Sequence, residues 1–124
     1  MQVDLDGLSP KDRRLFNAIV FGVFRHRAQL DWLINKHSTR SIQKIELPVL
    51  YILRTGMVQL YLMDKIPDFA AIDTCVSLAK QFGSKKSSGF VNAVLRSATR
   101  KCTTLPEPDK NKITKKNIHF HYSI

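Results

Sequence analysis

The sequence predicts an all-α fold, a compact bundle of about five helices that spans residues 9–101. Apolar residues recur at steps of three and four in successive segments, which is the spacing of an amphipathic helix. The one stretch that alternates apolar and polar residues, 117–124, has no neighbouring strand with which to pair. The composition, 44% hydrophobic and 24% charged, is typical of one globular domain of this length.

The first helix is predicted to begin at the Ser9-Pro10 pair, because serine is a favoured capping residue and proline a favoured first helical residue. Residues 25–36 either continue this helix or start a second one, and residues 37–41 form a polar break. The apolar stripe of the first segment comprises Leu15, Phe16, Ile19, Val20, Val23 and Phe24.

The next helix is apolar nearly all round between residues 49 and 63, which is typical of a helix buried in the middle of a bundle. Gly56 lies inside it. Since a glycine in a helix interior costs about 1 kcal/mol relative to alanine, we expect it to serve the close approach of another helix. The Ile66-Pro67 pair is predicted to end this helix, because the residue before a proline is pushed out of helical geometry.

Two shorter helices follow. Residues 68–82 carry small and apolar side chains at helical spacing, and Gly83 marks the end of that helix. After the polar, cationic residues 84–88, the last helix begins near Gly89 and runs to residue 101.

Arg54 lies in the middle of the most apolar helix, where an unpaired charge would be costly. We therefore expect it to form a structural ion pair, with Asp31 or with Asp73, rather than to contact a ligand.

Two cysteines, Cys75 and Cys102, are too few for a disulfide framework or a four-ligand zinc site, and both fit a reducing cytoplasm. Cys75 lies in an apolar run and is expected to be a small core residue. The longest apolar stretches are about seven residues, against the ~20 that a membrane span needs, so no membrane segment is predicted.

Four segments of the sequence form a recognisable series: VFGVFRHRAQLDWLI (20–34), VLYILRTGMVQLYLMDKIP (49–67), AAIDTCVSLAK (70–80) and GFVNAVLR (89–96). Their order and spacing resemble the NusB-like domain that forms the amino-terminal part of the Sun/RsmB family, which methylates a cytosine in 16S ribosomal RNA. The resemblance covers roughly residues 8–101.

The resemblance implies a division into an extension (1–8), a NusB-like domain (9–101) and a linker or tail (102–124) toward a methyltransferase domain that these residues do not include. The family pattern also places a helix before Ser9, which we expect to be missing. The sequence has no glycine-rich loop for S-adenosylmethionine and no Pro-Cys pair of the kind that the family uses for its nucleophile. It has one Thr-Cys pair, Thr74-Cys75, but this pair falls inside a predicted helix and is read as a chance dipeptide. We therefore expect no catalysis and no cofactor in this chain.

The net charge of +10 predicts a polyanionic partner, and nucleic acid is the usual one. Residues 1–98 carry 14 basic and 8 acidic side chains, a net of +6, so much of the excess lies in the last 26 residues. The first candidate patch comprises Arg13, Arg14, Arg25 and Arg27. The second comprises Lys85, Lys86, Arg96, Arg100 and Lys101. For both patches the alternative is an ordinary solvated surface.

Two functions remain open from the sequence. The first is RNA binding, with 16S ribosomal RNA as the partner that the resemblance implies. The second is protein interaction, since NusB itself pairs with a ribosomal protein in transcription antitermination, and a bundle without its first helix would self-associate through an exposed apolar groove. Three aromatic residues that could stack on bases are instead expected in the core: Trp32, Tyr51 and Tyr61.

Overall fold

The computed structural model describes residues 7–100, and every regular element within this range is a helix. The all-α prediction is therefore confirmed. The elements are α1 (Pro10–His37), a single 3-10 turn (Ile42–Lys44), α2 (Leu47–Leu62), α3 (Asp68–Phe82) and α4 (Ser87–Arg100). Residues 1–6 and 101–124 lie outside the described part, so the extension and the tail stay predictions.

Helix α1 begins where the sequence predicts. The Asp12 backbone N–H donates to the Ser9 side-chain oxygen at 3.1 Å, and Pro10 occupies the first helical position. The helix bends at His26, whose φ of −116° and ψ of 24° are not helical. The two predicted segments are thus one kinked helix, and the kink accounts for the difference between four helices and the expected five.

Helix α2 packs against the three other helices and forms the centre of the bundle, as its apolar composition predicts. It ends at Leu62, earlier than the Ile66-Pro67 pair suggests. Met63 leaves helical geometry with φ −129° and ψ 91°, and its carbonyl accepts a hydrogen bond from the Ile66 N–H at 3.3 Å. A turn therefore already precedes the proline.

Gly56 lies where α3 and α4 come close to α2. A Cβ added there would lie 3.0 Å from both δ-carbons of Leu95 in α4 and 3.1 Å from the sulfur of Cys75 in α3. These distances are tighter than ordinary contacts, so a side chain would force its neighbours to shift. The expected close approach is confirmed.

Arg54 and Asp31 form the predicted ion pair between α1 and α2. The Arg54 Nε donates to Asp31 Oδ1 at 2.8 Å, and its terminal nitrogen Nη2 donates to Oδ2 at 3.0 Å. The two side chains are 11% and 24% exposed, so the fork lies largely out of water. The alternative partner, Asp73, is an exposed residue of α3.

Cys75 is fully buried, which confirms it as a core residue. Its thiol donates to the Ile52 carbonyl at 3.7 Å. Burial raises the pKa of the Cys75 thiol to about 11, despite an opposing hydrogen bond from Thr55. The thiol is therefore protonated at neutral pH, which excludes it as a ready nucleophile.

Helix α3 ends before Gly83 for a reason of space. The φ of Gly83 is −102°, which any residue adopts, so conformational freedom does not require glycine here. A Cβ would instead lie 2.6 Å from the Cβ of Ser87, in the first turn of α4. The close return of the chain into α4 is what selects glycine.

Candidate nucleic-acid interface

The positive charge lies mainly on the described bundle. Residues 7–100 contain 15 Lys and Arg and six Asp and Glu, a net charge of +9. The smaller net of +6 for residues 1–98 arises because that range includes Asp4 and Asp6 and omits Arg100. The bundle itself is therefore strongly basic, more so than the net charge of residues 1–98 suggests.

The first predicted patch divides between two parts of α1. Arg13 and Arg14 are exposed and adjacent near the start of the helix, and Arg27 is exposed just beyond the kink. Arg25 is different, because its guanidinium carbon lies 5.7 Å from the centre of the Phe21 ring and its Nε is buried without a hydrogen-bond partner in the described part. Arg13, Arg14 and Arg27 are thus better placed for phosphate than Arg25.

The kink residue His26 adds no charge to this patch. Its side chain is buried, and its Nδ1 shares a hydrogen bond with Gln29 Oε1. Burial lowers the pKa of His26, the nearby Arg25 charge lowers it further, and the Gln29 hydrogen bond opposes both. The lowered pKa favours the neutral form of the ring.

Lys85 and Lys86 are exposed in the loop between α3 and α4. The loop is held in place by Ser87, whose buried hydroxyl accepts a hydrogen bond from the Ser84 backbone N–H at 2.9 Å. The two ammonium groups therefore project from a fixed turn.

Arg40 joins these lysines, although it belongs to neither predicted patch. Arg40 comes from the loop after α1, and it lines the same pocket of about 210 Å³ as Lys86. Its guanidinium carbon lies 5.1 Å from the centre of the Phe90 ring in α4. A single arginine in a polar break carries no periodic signal, and only the fold brings it beside a distant loop.

Arg96 and Arg100 lie at the other end of α4, in a groove of about 480 Å³ between α3 and α4. The Arg96 Nε donates to Asn92 Oδ1 at 2.9 Å. Asp68 and Asp73 line the same groove, so the local positive potential is weaker here than around Lys86. Lys101, the last member of the predicted patch, lies outside the described residues.

The prediction that the aromatic residues belong to the core is wrong for two of the three. Trp32 is 43% and Tyr51 is 54% exposed, and each ring lies beside a cation. The Lys36 Nζ is 4.9 Å from the Trp32 ring, and the Arg54 guanidinium carbon is 5.8 Å from the Tyr51 ring. Tyr61 is half-buried and donates its hydroxyl to the Ala98 carbonyl at 3.0 Å.

An apolar face is exposed on the first half of α1. Val20 is 51%, Phe21 48% and Phe24 85% exposed, and the spacing places the three on one side of the helix. Exposed apolar patches of this kind often mark contact sites.

Between residues 7 and 100, no three His, Cys, Asp or Glu side chains come together as a metal site requires. None of the described helices combines the length and the apolar character needed to cross a bilayer.

The fold and its exposed cations are those of a basic, all-helical domain. The sequence profile of the NusB family matches residues 2–100. The chain belongs to the NusB family. The resemblance found in the four sequence segments is therefore confirmed.

Curated relatives of this chain show which members of the family it is similar to. The chain is 42% identical over 89 residues to the probable ribosomal RNA small subunit methyltransferase B of Synechocystis sp., a match that covers 72% of this chain and 20% of that protein. It is 37% identical over 93 residues to the probable Bacillus subtilis protein of the same name, and 38% identical over 93 residues to that of Escherichia coli O157:H7. Each of these two matches covers 75% of this chain and 21% of the relative. The chain thus spans about a fifth of their length.

Proposed function

We propose that this chain is an RNA-binding domain. The observation that carries the proposal is the net charge of +9 on residues 7–100, with exposed cations gathered at the start of α1 and at the loop before α4. NusB-family membership and similarity to proteins named for ribosomal RNA support the same partner.

The mechanism is electrostatic. Lysine and arginine side chains neutralise phosphates and release the counterions that the RNA had condensed. Bases are commonly read by stacking on the exposed face of a sheet, and residues 7–100 contain no strand. The domain therefore selects RNA by the shape of the RNA backbone.

The names of the relatives point to ribosomal RNA of the small subunit, and we propose 16S ribosomal RNA as the target, in the cytoplasm. In this role the domain holds RNA for a methyltransferase domain. The proposal assigns neither the methylation step nor S-adenosylmethionine to residues 7–100, where the Cys75 thiol is buried and protonated.

Titration with a fragment of 16S ribosomal RNA at several salt concentrations tests the proposal. We expect affinity to fall steeply with salt, with a slope in the log–log plot near −0.7 for each phosphate that is neutralised on a single strand. Fluorescence anisotropy of labelled RNA measures it. If no binding is detected even at low salt, the proposal is wrong.

The exposed apolar face of α1 favours a second function, contact with protein. We propose that Val20, Phe21 and Phe24 form the contact, and that a second copy of the chain occupies it when no other partner is present. The proposal is compatible with RNA binding, because the cations at Arg13 and Lys86 do not belong to this face.

Light scattering at high protein concentration tests self-association. We expect a mass above the 14.2 kDa of one chain, and a return toward that mass for Phe24→Ser, which removes the most exposed ring of the face. Phe69→Ser is the matched control, because Phe69 is 77% exposed on α3. A clean monomer for the unaltered protein contradicts self-association.

A further inference from the structure

The pocket between the loop after α1 and the start of α4 is lined by two cations, Arg40 and Lys86, and by one carboxylate, Glu46, that pairs with neither of them. Arg40 comes from the loop after α1 and Lys86 from the loop before α4. Neither forms an ion pair within 4.0 Å in the described part. Glu46 likewise makes no ion pair there. Two like charges facing one cavity repel each other unless an anion lies between them.

The size and the lining of the pocket restrict the ligand. Its volume of about 210 Å³ lies below the ~300–1,000 Å³ of pockets for drug-sized molecules, so a small group fits better than a whole metabolite. Besides the two cations and Glu46 it is lined by the hydroxyl residues Ser84 and Ser87, whose side-chain oxygens share a hydrogen bond of 3.0 Å. Cationic and hydroxyl groups together are suited to phosphate oxygens.

The guanidinium of Arg40 is oriented by an aromatic ring. Its carbon lies 5.1 Å from the centre of the Phe90 ring, and Phe90 itself packs against the hydrophobic core. A planar fork that is already oriented loses less conformational entropy on binding than a free side chain. The pocket thus has two exposed cations, Arg40, which lies over an aromatic ring, and Lys86, which lies on a turn.

We propose that Arg40 and Lys86 together bind one phosphodiester group of the RNA, in a site that the pair defines. This inference rests on the proposed RNA-binding function and names a residue, Arg40, that lies in neither predicted patch. The negative charge of Glu46 weakens the site, so a substitution that removes this charge should raise RNA affinity where the loss of Arg40 or Lys86 lowers it.

The test is anisotropy titration of a labelled 16-nucleotide single-stranded RNA at 50 mM salt and above. We expect Arg40→Gln and Lys86→Gln each to lower affinity about five- to tenfold at 50 mM salt, and to make the salt slope shallower by up to about 0.7. The double variant should lose less than the product of the two effects, because both side chains hold the same phosphate. Glu46→Gln should raise affinity about twofold.

Lys65→Gln is the matched control, since Lys65 is an exposed cation in the turn between α2 and α3 and should change affinity less than twofold. If the unaltered protein does not bind the RNA, both proposals fail. If it binds but Arg40→Gln and Lys86→Gln behave like Lys65→Gln, only the phosphate site is wrong. A lower affinity for Glu46→Gln also contradicts the site. Circular dichroism verifies that each variant is folded.

Inorganic phosphate separates an RNA site from a general anion site. We expect it to shift the backbone amide resonances around Lys86 in the unaltered protein and not in Arg40→Gln. If phosphate produces these shifts while RNA affinity does not depend on Arg40, the pocket is an anion site that the RNA does not use, and the inference is overturned.

Discussion

Asp31→Ala is expected to lower the free energy of unfolding by about 2–3 kcal/mol. The substitution removes both acceptors of the Arg54 fork and leaves a guanidinium that is only 11% exposed without its counter-charge. Breaking a fully buried pair in this way costs about 3–5 kcal/mol. The 24% exposure of Asp31 gives water some access to the site, which reduces the expected loss.

Urea unfolding followed by circular dichroism measures this loss. Asp73→Ala is the control, because it removes the other carboxylate that the sequence offered as a partner, and a surface substitution of this kind changes stability by about 0.5 kcal/mol or less. The variant with both Asp31→Leu and Arg54→Met should recover part of the loss, since replacing both charges leaves no unpaired group. Equal stabilities for Asp31→Ala and Asp73→Ala would contradict a structural role for the pair.

The Arg54 pair also shows how far the sequence can lead. A charge inside an apolar helix must be paired, so the existence of a partner follows from physical chemistry alone. Which of two aspartates supplies it depends on how α1 and α3 are arranged around α2, and no local pattern contains that information. The same holds for Gly56, where the close approach was predictable but the neighbours, Leu95 and Cys75, were not.

Surface sites were harder to predict than the core. Arg40 has no periodic context, and its place beside Lys86 depends on two loops that are distant in sequence. The helical spacing of the aromatic residues predicts core positions for Trp32 and Tyr51, yet both are exposed. Hydrophobic periodicity identifies which elements are helical, but the width of the buried stripe on each helix depends on the neighbours that cover it.

Some helix ends could be predicted from the sequence and others could not. The start of α1 was predictable because its cap is local, a serine oxygen that accepts from an amide three residues later. The end of α2 was not, since the chain turns at Met63 before the proline is reached. That turn buries Met63 in the core, where it is 2% exposed. A local stop signal such as Ile66-Pro67 sets only the furthest point to which the helix can extend.

Reversal of three cations at once, Arg13→Glu, Arg14→Glu and Lys86→Glu, is expected to lower RNA affinity by roughly 100- to 1,000-fold at 50 mM salt. If each residue neutralises one phosphate, losing three contacts makes the log–log salt slope shallower by about 2, and at this salt concentration that change corresponds to between two and three decades in affinity. All three side chains are exposed, so the fold should be retained.

The control must carry the same change in net charge. Lys36→Glu, Lys65→Glu and Lys80→Glu provide it, because these lysines are also exposed and lie outside both predicted patches. We expect the control to bind more weakly than the unaltered protein through its lower net charge, but by at most about tenfold and with nearly the same salt slope. Equal losses in the two triple variants would mean that RNA responds to the total charge of the bundle, and the start of α1 and the loop before α4 would then not be the binding surface.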